Sequence, residues 1–134
     1  MTDLKSIGIP NSGPVNCNVV IPGSKSITNR AILIAALAKG ITHLSFILHS
    51  DDTHYMIKAW KELGVDIRLL SDNNIEVNGC NGVLKPYPGE IFVENAGTAA
   101  RFLTAALTLG SGDYFLTGNE RMQERPITDL IQAL

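Results

Sequence analysis

Three stretches of this sequence set a cation beside a small-residue turn that reads as the start of a helix. The first is Pro22-Gly23-Ser24-Lys25-Ser26-Ile27-Thr28-Asn29-Arg30. Glycine lets backbone approach an anion, the free N–H groups of a first helical turn point outward, and the helix dipole favours negative charge there. Lys25 adds a mobile ammonium, Ser26 a hydroxyl donor, and Arg30 a planar fork suited to carboxylate or phosphate. The second stretch, Asn95-Ala96-Gly97-Thr98-Ala99-Ala100-Arg101, repeats the order of turn, helix and arginine. The third, Gly118-Asn119-Glu120-Arg121-Met122-Gln123-Glu124-Arg125-Pro126, places Arg121 and Arg125 around Glu124 ahead of another helix. Each alone reads equally well as a capped helix with solvated cations, or as surface ion pairs worth well under about 1 kcal/mol. Three of one construction in a short chain point to a ligand carrying two or more anionic groups.

Other chemistries have less support. The first stretch is not a Walker loop, because the glycine five residues ahead of a Gly-Lys pair is missing. His49-Ser50-Asp51-Asp52-Thr53-His54 has metal-ligand residue types. The same Ser and Asp residues are what a helix start requires, so no metal is assigned. Tyr55, Met56 and Trp60 fall at helical spacing and read as core. No Ser-His-Asp arrangement is present. Cys17 and Cys80 fit no metal spacing and carry no cue for nucleophilic use, and two such cysteines suit a reduced, cytoplasmic chain.

These residues need elements to hold them. Residues 1–14, with Gly8, Pro10, Asn11, Ser12, Gly13 and Pro14, read as an irregular lead-in. The pattern predicts a strand over 15–21, stopped by Pro22-Gly23, then a helix from Ser24 with Ile27, Ala31, Ile32, Ile34, Ala35 and Ala38 on one stripe. Lys39-Gly40 closes that helix. A strand over 42–48 follows, then a helix from Ser50 that ends at Gly64, then two short strands over 65–70 and 75–77 around a turn at 71–74. A short strand covers 91–93. Arg125-Pro126 is expected to open a last helix, with proline at its first position and a stripe of Ile127, Leu130, Ile131 and Leu134.

The pattern repeats. A shift of 71 residues carries "RAILIAALAKG" from Arg30 onto "RFLTAALTLG" from Arg101, and a shift of 74 carries "MIKAW" from Met56 onto "LIQAL" from Leu130. The expected fold is α/β, with one βαβαββ unit over 15–94 and an incomplete second copy over 95–134, each leaning on its neighbour for burial. The final stripe stops at Leu134 without a cap, so the chain is expected to be the N-terminal part of a longer protein.

Composition narrows the classes. The 134 residues are 45% apolar and 18% charged, with 11 Lys+Arg against 13 Asp+Glu. This is globular composition without a bulk field for nucleic acid. The longest apolar run, 31–38, is far short of the roughly 20 residues of a membrane span. Nothing at 1–5 resembles a signal peptide.

The stretches "PGSKSITNRAILIAALAKG", "SDDTHYM", "NAGTAARFLTAAL" and "GNERMQERPITDLIQAL" closely resemble, in order, motifs of the EPSP synthase (3-phosphoshikimate 1-carboxyvinyltransferase) family. Lys25-Ser26 favours this family over the related UDP-N-acetylglucosamine enolpyruvyl transferases, which carry Lys-Asn there. The resemblance implies two domains, each of three βαβαββ units around parallel helices, with substrates between them. It implies transfer of the enolpyruvyl group of phosphoenolpyruvate to the 5-hydroxyl of shikimate 3-phosphate, giving 5-enolpyruvylshikimate 3-phosphate and phosphate, with no metal or organic cofactor.

By the same resemblance, Lys25 matches a lysine that contacts both substrates and serves catalysis. Ser26 and Arg30 match residues on shikimate 3-phosphate, through its ring carboxylate. Gly97, with Asn95 beside it, matches the phosphoenolpyruvate site where glyphosate also binds, and Arg125 matches an arginine on phosphoenolpyruvate. Arg101 is expected to support its loop. Phe102 departs from the proline of many bacterial members. The family's remaining catalytic residues fall beyond this chain, so the 134 residues alone are expected to be inactive, with an uncovered apolar stripe that promotes self-association. The alternatives are a stand-alone anion-binding module without catalysis, and a metal-binding scaffold at His49 and His54.

Overall fold

The amphipathic stretch after Pro22-Gly23 forms helix α1, Lys25–Leu37, whose N-cap Ser24 accepts from Ile27 N. The computed structural model describes residues 7–134. Residues 1–6 of the expected lead-in lie outside the described residues, and 7–14 are irregular. After α1 come strand β1 (Lys39–Ser45), helix α2 (Asp51–Glu62) and the hairpin strands β2 (Asp66–Ser71) and β3 (Asn74–Cys80). Then follow β4 (Glu90–Phe92), α3 (Gly97–Leu107), β5 (Phe115–Thr117), α4 (Glu120–Gln123) and α5 (Thr128–Ala133).

The sheet β1-β3-β2 is antiparallel throughout, with β3 in the centre. Its hairpin closes where expected: Ser71 faces Asn74 across a two-residue turn, and Asn74 Nδ2 donates to Ser71 Oγ at 2.7 Å. Alternation along β3 buries Ile75 and Val77 and leaves Glu76 on the outer face. There Glu76 sits 3.8 Å from both His43 and Arg68, and Arg68 pairs with Asp66 at 2.6 Å. The inner face is covered by α1 and α2. Trp60, Ile32, Met56, Ile75, Val77, Ile91, Val93 and Leu103 are fully buried between these layers and α3. The second sheet is a parallel pair, β4 with β5.

Helix α2 has the firmest start. Ser50 Oγ accepts from Thr53 N, Thr53 Oγ1 accepts from Ser50 N at 2.9 Å, and Thr53 Oγ1 donates to Leu48 O at 2.8 Å. Gly64, at φ +89, ends that helix as the sequence indicates.

Three expectations need correction. The strand expected over 15–21 has no ladder partner among the described residues; Val15, Val19, Val20 and Ile21 are exposed, Val20 at 95%. Hydrophobic β-formers make a strand only where an edge receives them. The next strand spans Lys39–Ser45 instead of 42–48, because Phe46 turns into the left-handed region at φ 57 and Ile47 N donates to Asn73 O. The last helix starts at Thr128, two residues after Pro126, whose carbonyl accepts from Arg101 Nη2 at 2.9 Å.

Candidate functional site

The first turns of three helices meet at one end of the layered core. Lys25, the first residue of α1, pairs with Asp52 of the first turn of α2 at 3.3 Å, with the lysine about half exposed. Asp51 and Asp52 also line an open cavity of about 440 Å³ that they share with Asn95 and Ala96, the loop into α3. Further along α1, the guanidinium of Arg30 lies 5.6 Å from the centre of the Phe102 ring of α3. So α1 joins α2 through Lys25 and α3 through Arg30.

The two arginine turns share a local geometry. Arg30 Nη1 donates to Ser26 O at 2.9 Å, one turn back, and Arg101 Nη1 donates to Gly97 O at 3.3 Å, one turn back. Ser26 and Gly97 occupy corresponding places under the 71-residue shift. Ser26 and Arg30 are exposed, and no carboxylate pairs with Arg30 among the described residues.

At α3 the backbone prepares a close approach. Glu94, at φ 51, turns the chain out of β4, and its carbonyl accepts from Asn119 N while its carboxylate accepts from Asn119 Nδ2 at 2.7 Å. Asn119 in turn caps α4, accepting from Met122 N at 3.0 Å, and Gln123 Nε2 donates to Gly118 O. These bonds fix the loop that carries Arg125. The Arg125 guanidinium lies against Gly97, where a Cβ would collide with its Nη1, and Arg101 Nη1 stands next to it. Arg121 lines the same cavity as Asn95. Asn95 Oδ1 is shielded from solvent yet has no protein partner.

The residues singled out from sequence therefore form a connected set: Lys25 with Asp52, Asp52 and Asn95 on one cavity, Gly97 under Arg125, and Ser26 with Arg30 on α1 against α3. Exposed guanidinium and ammonium groups at helix N-termini bind anions with several oxygens. Arg101, its guanidinium taken up by the Gly97 and Pro126 carbonyls, acts as a brace for the loop. Two features went unseen in the sequence: the Asp52 carboxylate as the partner of Lys25, and Phe102 as a platform for Arg30. Neither spacing along the chain nor residue type announces a contact between elements. His49 Nε2 meets the Asp72 carbonyl, and among the described residues no three of His, Cys, Asp and Glu gather into a metal-holding group.

The sequence model of the family EPSP synthase (3-phosphoshikimate 1-carboxyvinyltransferase) matches residues 9–134. The 3-phosphoshikimate 1-carboxyvinyltransferase of Shewanella piezotolerans is 53% identical over 122 residues, which is 90% of this chain and 29% of the relative. That of Shewanella loihica is 50% identical over 133 residues, 98% of this chain and 31% of the relative. A solved EPSP synthase from Acinetobacter baumannii aligns with a TM-score of 0.82 at 27% identity, over 87% of this chain and 27% of that one. The fold is thus the mixed α/β fold of those enzymes, in part: the chain spans 29–31% of the length of these curated relatives.

Proposed function

This chain belongs to the EPSP synthase family, and on that premise we propose that it supplies one wall of an active site for enolpyruvyl transfer. The substrates are shikimate 3-phosphate and phosphoenolpyruvate, each with a carboxylate and a phosphate. Ser26 and Arg30 receive shikimate 3-phosphate through its ring carboxylate, while Asn95, Gly97 and Arg125 receive phosphoenolpyruvate. Lys25 stands between them. The 5-hydroxyl of shikimate 3-phosphate adds to C2 of phosphoenolpyruvate as C3 takes a proton. Phosphate then leaves the tetrahedral intermediate to give 5-enolpyruvylshikimate 3-phosphate. The Lys25 ammonium stabilises the anionic oxygens as that centre forms.

The observation that carries this reading is the seat of Arg125 on Gly97 at the first turn of α3. Without a side chain at 97, the Arg125 guanidinium reaches the first turn of α3, where the Gly97 N–H is taken up by the Asn95 carbonyl and the helix dipole with the guanidinium suits a small dianion. Lys25 must exchange Asp52 for substrate; an ion pair this exposed is worth less than about 1 kcal/mol, so the exchange is easy. The two parts of the chain, 15–94 and 95–134, act as a copy of a repeated unit that lacks its opening strand and a partial second copy, as the shared geometry of Arg30 and Arg101 supports. The free thiols Cys17 and Cys80 suit the cytoplasm.

Because the chain spans about 30% of its relatives, activity belongs to the completed enzyme. Phosphate release is measured for the 134 residues alone, and again with the complementary C-terminal segment of the Shewanella piezotolerans enzyme. The expected result is no release alone and release on mixing, which Lys25→Ala lowers about 10²- to 10³-fold. Ordinary turnover by the chain alone overturns the need for completion. Substrate binding without rescue replaces catalysis with a stand-alone anion-binding module.

A further inference from the structure

The contact between Arg30 and Phe102 links two helices through a charged group that α1 otherwise leaves in solvent. Phe102 is half-buried and packs against the core, so its ring is supported from behind. Arg30 has one protein acceptor among the described residues, the Ser26 carbonyl at 2.9 Å. Arg101, its counterpart on α3, gives N–H groups to two carbonyls, Gly97 and Pro126. A carbonyl takes up a guanidinium edge, whereas an aromatic face holds the guanidinium by its plane and leaves the edge free to donate. An arginine held this way before its ligand arrives loses less rotamer freedom on binding.

We propose that Phe102 is a positioning residue for the anion site, its ring orienting Arg30 so that the remaining N–H edge meets a planar carboxylate. The carboxylate partner rests on the reading that Arg30 receives shikimate 3-phosphate; the contact between the Arg30 guanidinium and the Phe102 ring does not. The test uses the 134-residue chain and its Phe102→Leu and Phe102→Tyr variants. Arg30 Nε–H is followed by NMR, identified by its loss in Arg30→Lys, and shikimate 3-phosphate is titrated by calorimetry.

The expected result is an upfield ring-current displacement of the Arg30 signal in the parent and the Tyr variant, lost in the Leu variant. Affinity falls roughly two- to fivefold in the Leu variant and returns in the Tyr variant. Should the Leu variant melt well below the parent, Phe102→Met takes its place. A Leu variant with parental signal and affinity overturns the proposal, as does a lost displacement with unchanged affinity. If neither the parent chain nor its mixture with the complementary C-terminal segment takes up shikimate 3-phosphate, the shikimate reading fails. The Arg30 signal alone then decides: loss in the Leu variant with retention in the Tyr variant upholds the orienting role, and an unmoved signal removes it.

Discussion

Gly97 is the residue on which the site geometry turns. A methyl there meets first the far end of the exposed Arg125 side chain, with Arg101 Nη1 next at 3.5 Å. The arginine can move aside, so Gly97→Ala should fold with a loss of no more than about 1 kcal/mol. The displaced guanidinium should weaken phosphoenolpyruvate roughly 10- to 100-fold, as loss of a charge-assisted contact does. In the complemented enzyme the check is KM for each substrate: phosphoenolpyruvate rises, shikimate 3-phosphate stays near the parent value. Equal rises in both would mean that position 97 shapes the whole loop. The cations and the glycine were legible as residue types at helix starts. The partners Asp52 and Phe102 were not, since each lies on a different element and only packing brings it near.

At the scale of elements, local signals carried the reading where one segment decides its own shape. Ser50 with Thr53, Gly64, and the turn around Asp72-Asn73 all act within a few residues, and α2 and the hairpin formed close to where they were expected. Residues 15–21 have the β-formers of a strand, but a strand also needs a partner edge, which no local pattern contains. Likewise Pro126 looked like a helix opener, while its carbonyl belongs to Arg101 and α5 begins at Thr128. Packing between elements leaves its own trace at Gly79 of β3. A Cβ there would run into the carbonyl oxygens of Ala35 and Ala38 at the end of α1, and backbone cannot step aside as a side chain can. Gly79→Ala should therefore cost about 1–3 kcal/mol and lower Tm by several degrees. Gly13→Ala, in open space, should leave Tm unchanged. Equal melts for the two variants would show that β3 does not ride on α1 as described.

Over the whole molecule, apolar surface is distributed unevenly. The layers enclose Trp60, Met56 and Leu103, yet Ile27 and Ile34 of α1 are each 68% exposed and α5 buries no residue. Scattered apolar residues are ordinary on a surface, but a continuous face invites association. Sedimentation velocity across a dilution series should show reversible self-association that Ile27→Glu with Ile34→Glu reduces. A monomer at every concentration would contradict it. A different consequence follows from where Gly23 sits. Its α-carbon rests on the backbone of 46–48, too close for any side chain, and 20–22 line an open cavity with 46–49, whereas 7–19 are exposed throughout. Within this chain, then, the stretch 20–23 divides an exposed lead-in from a body. Labels, fusions or surface attachments joined through 7–19 would leave the body undisturbed, while a change at Gly23 would be transmitted straight to the end of β1 and the cap of α2.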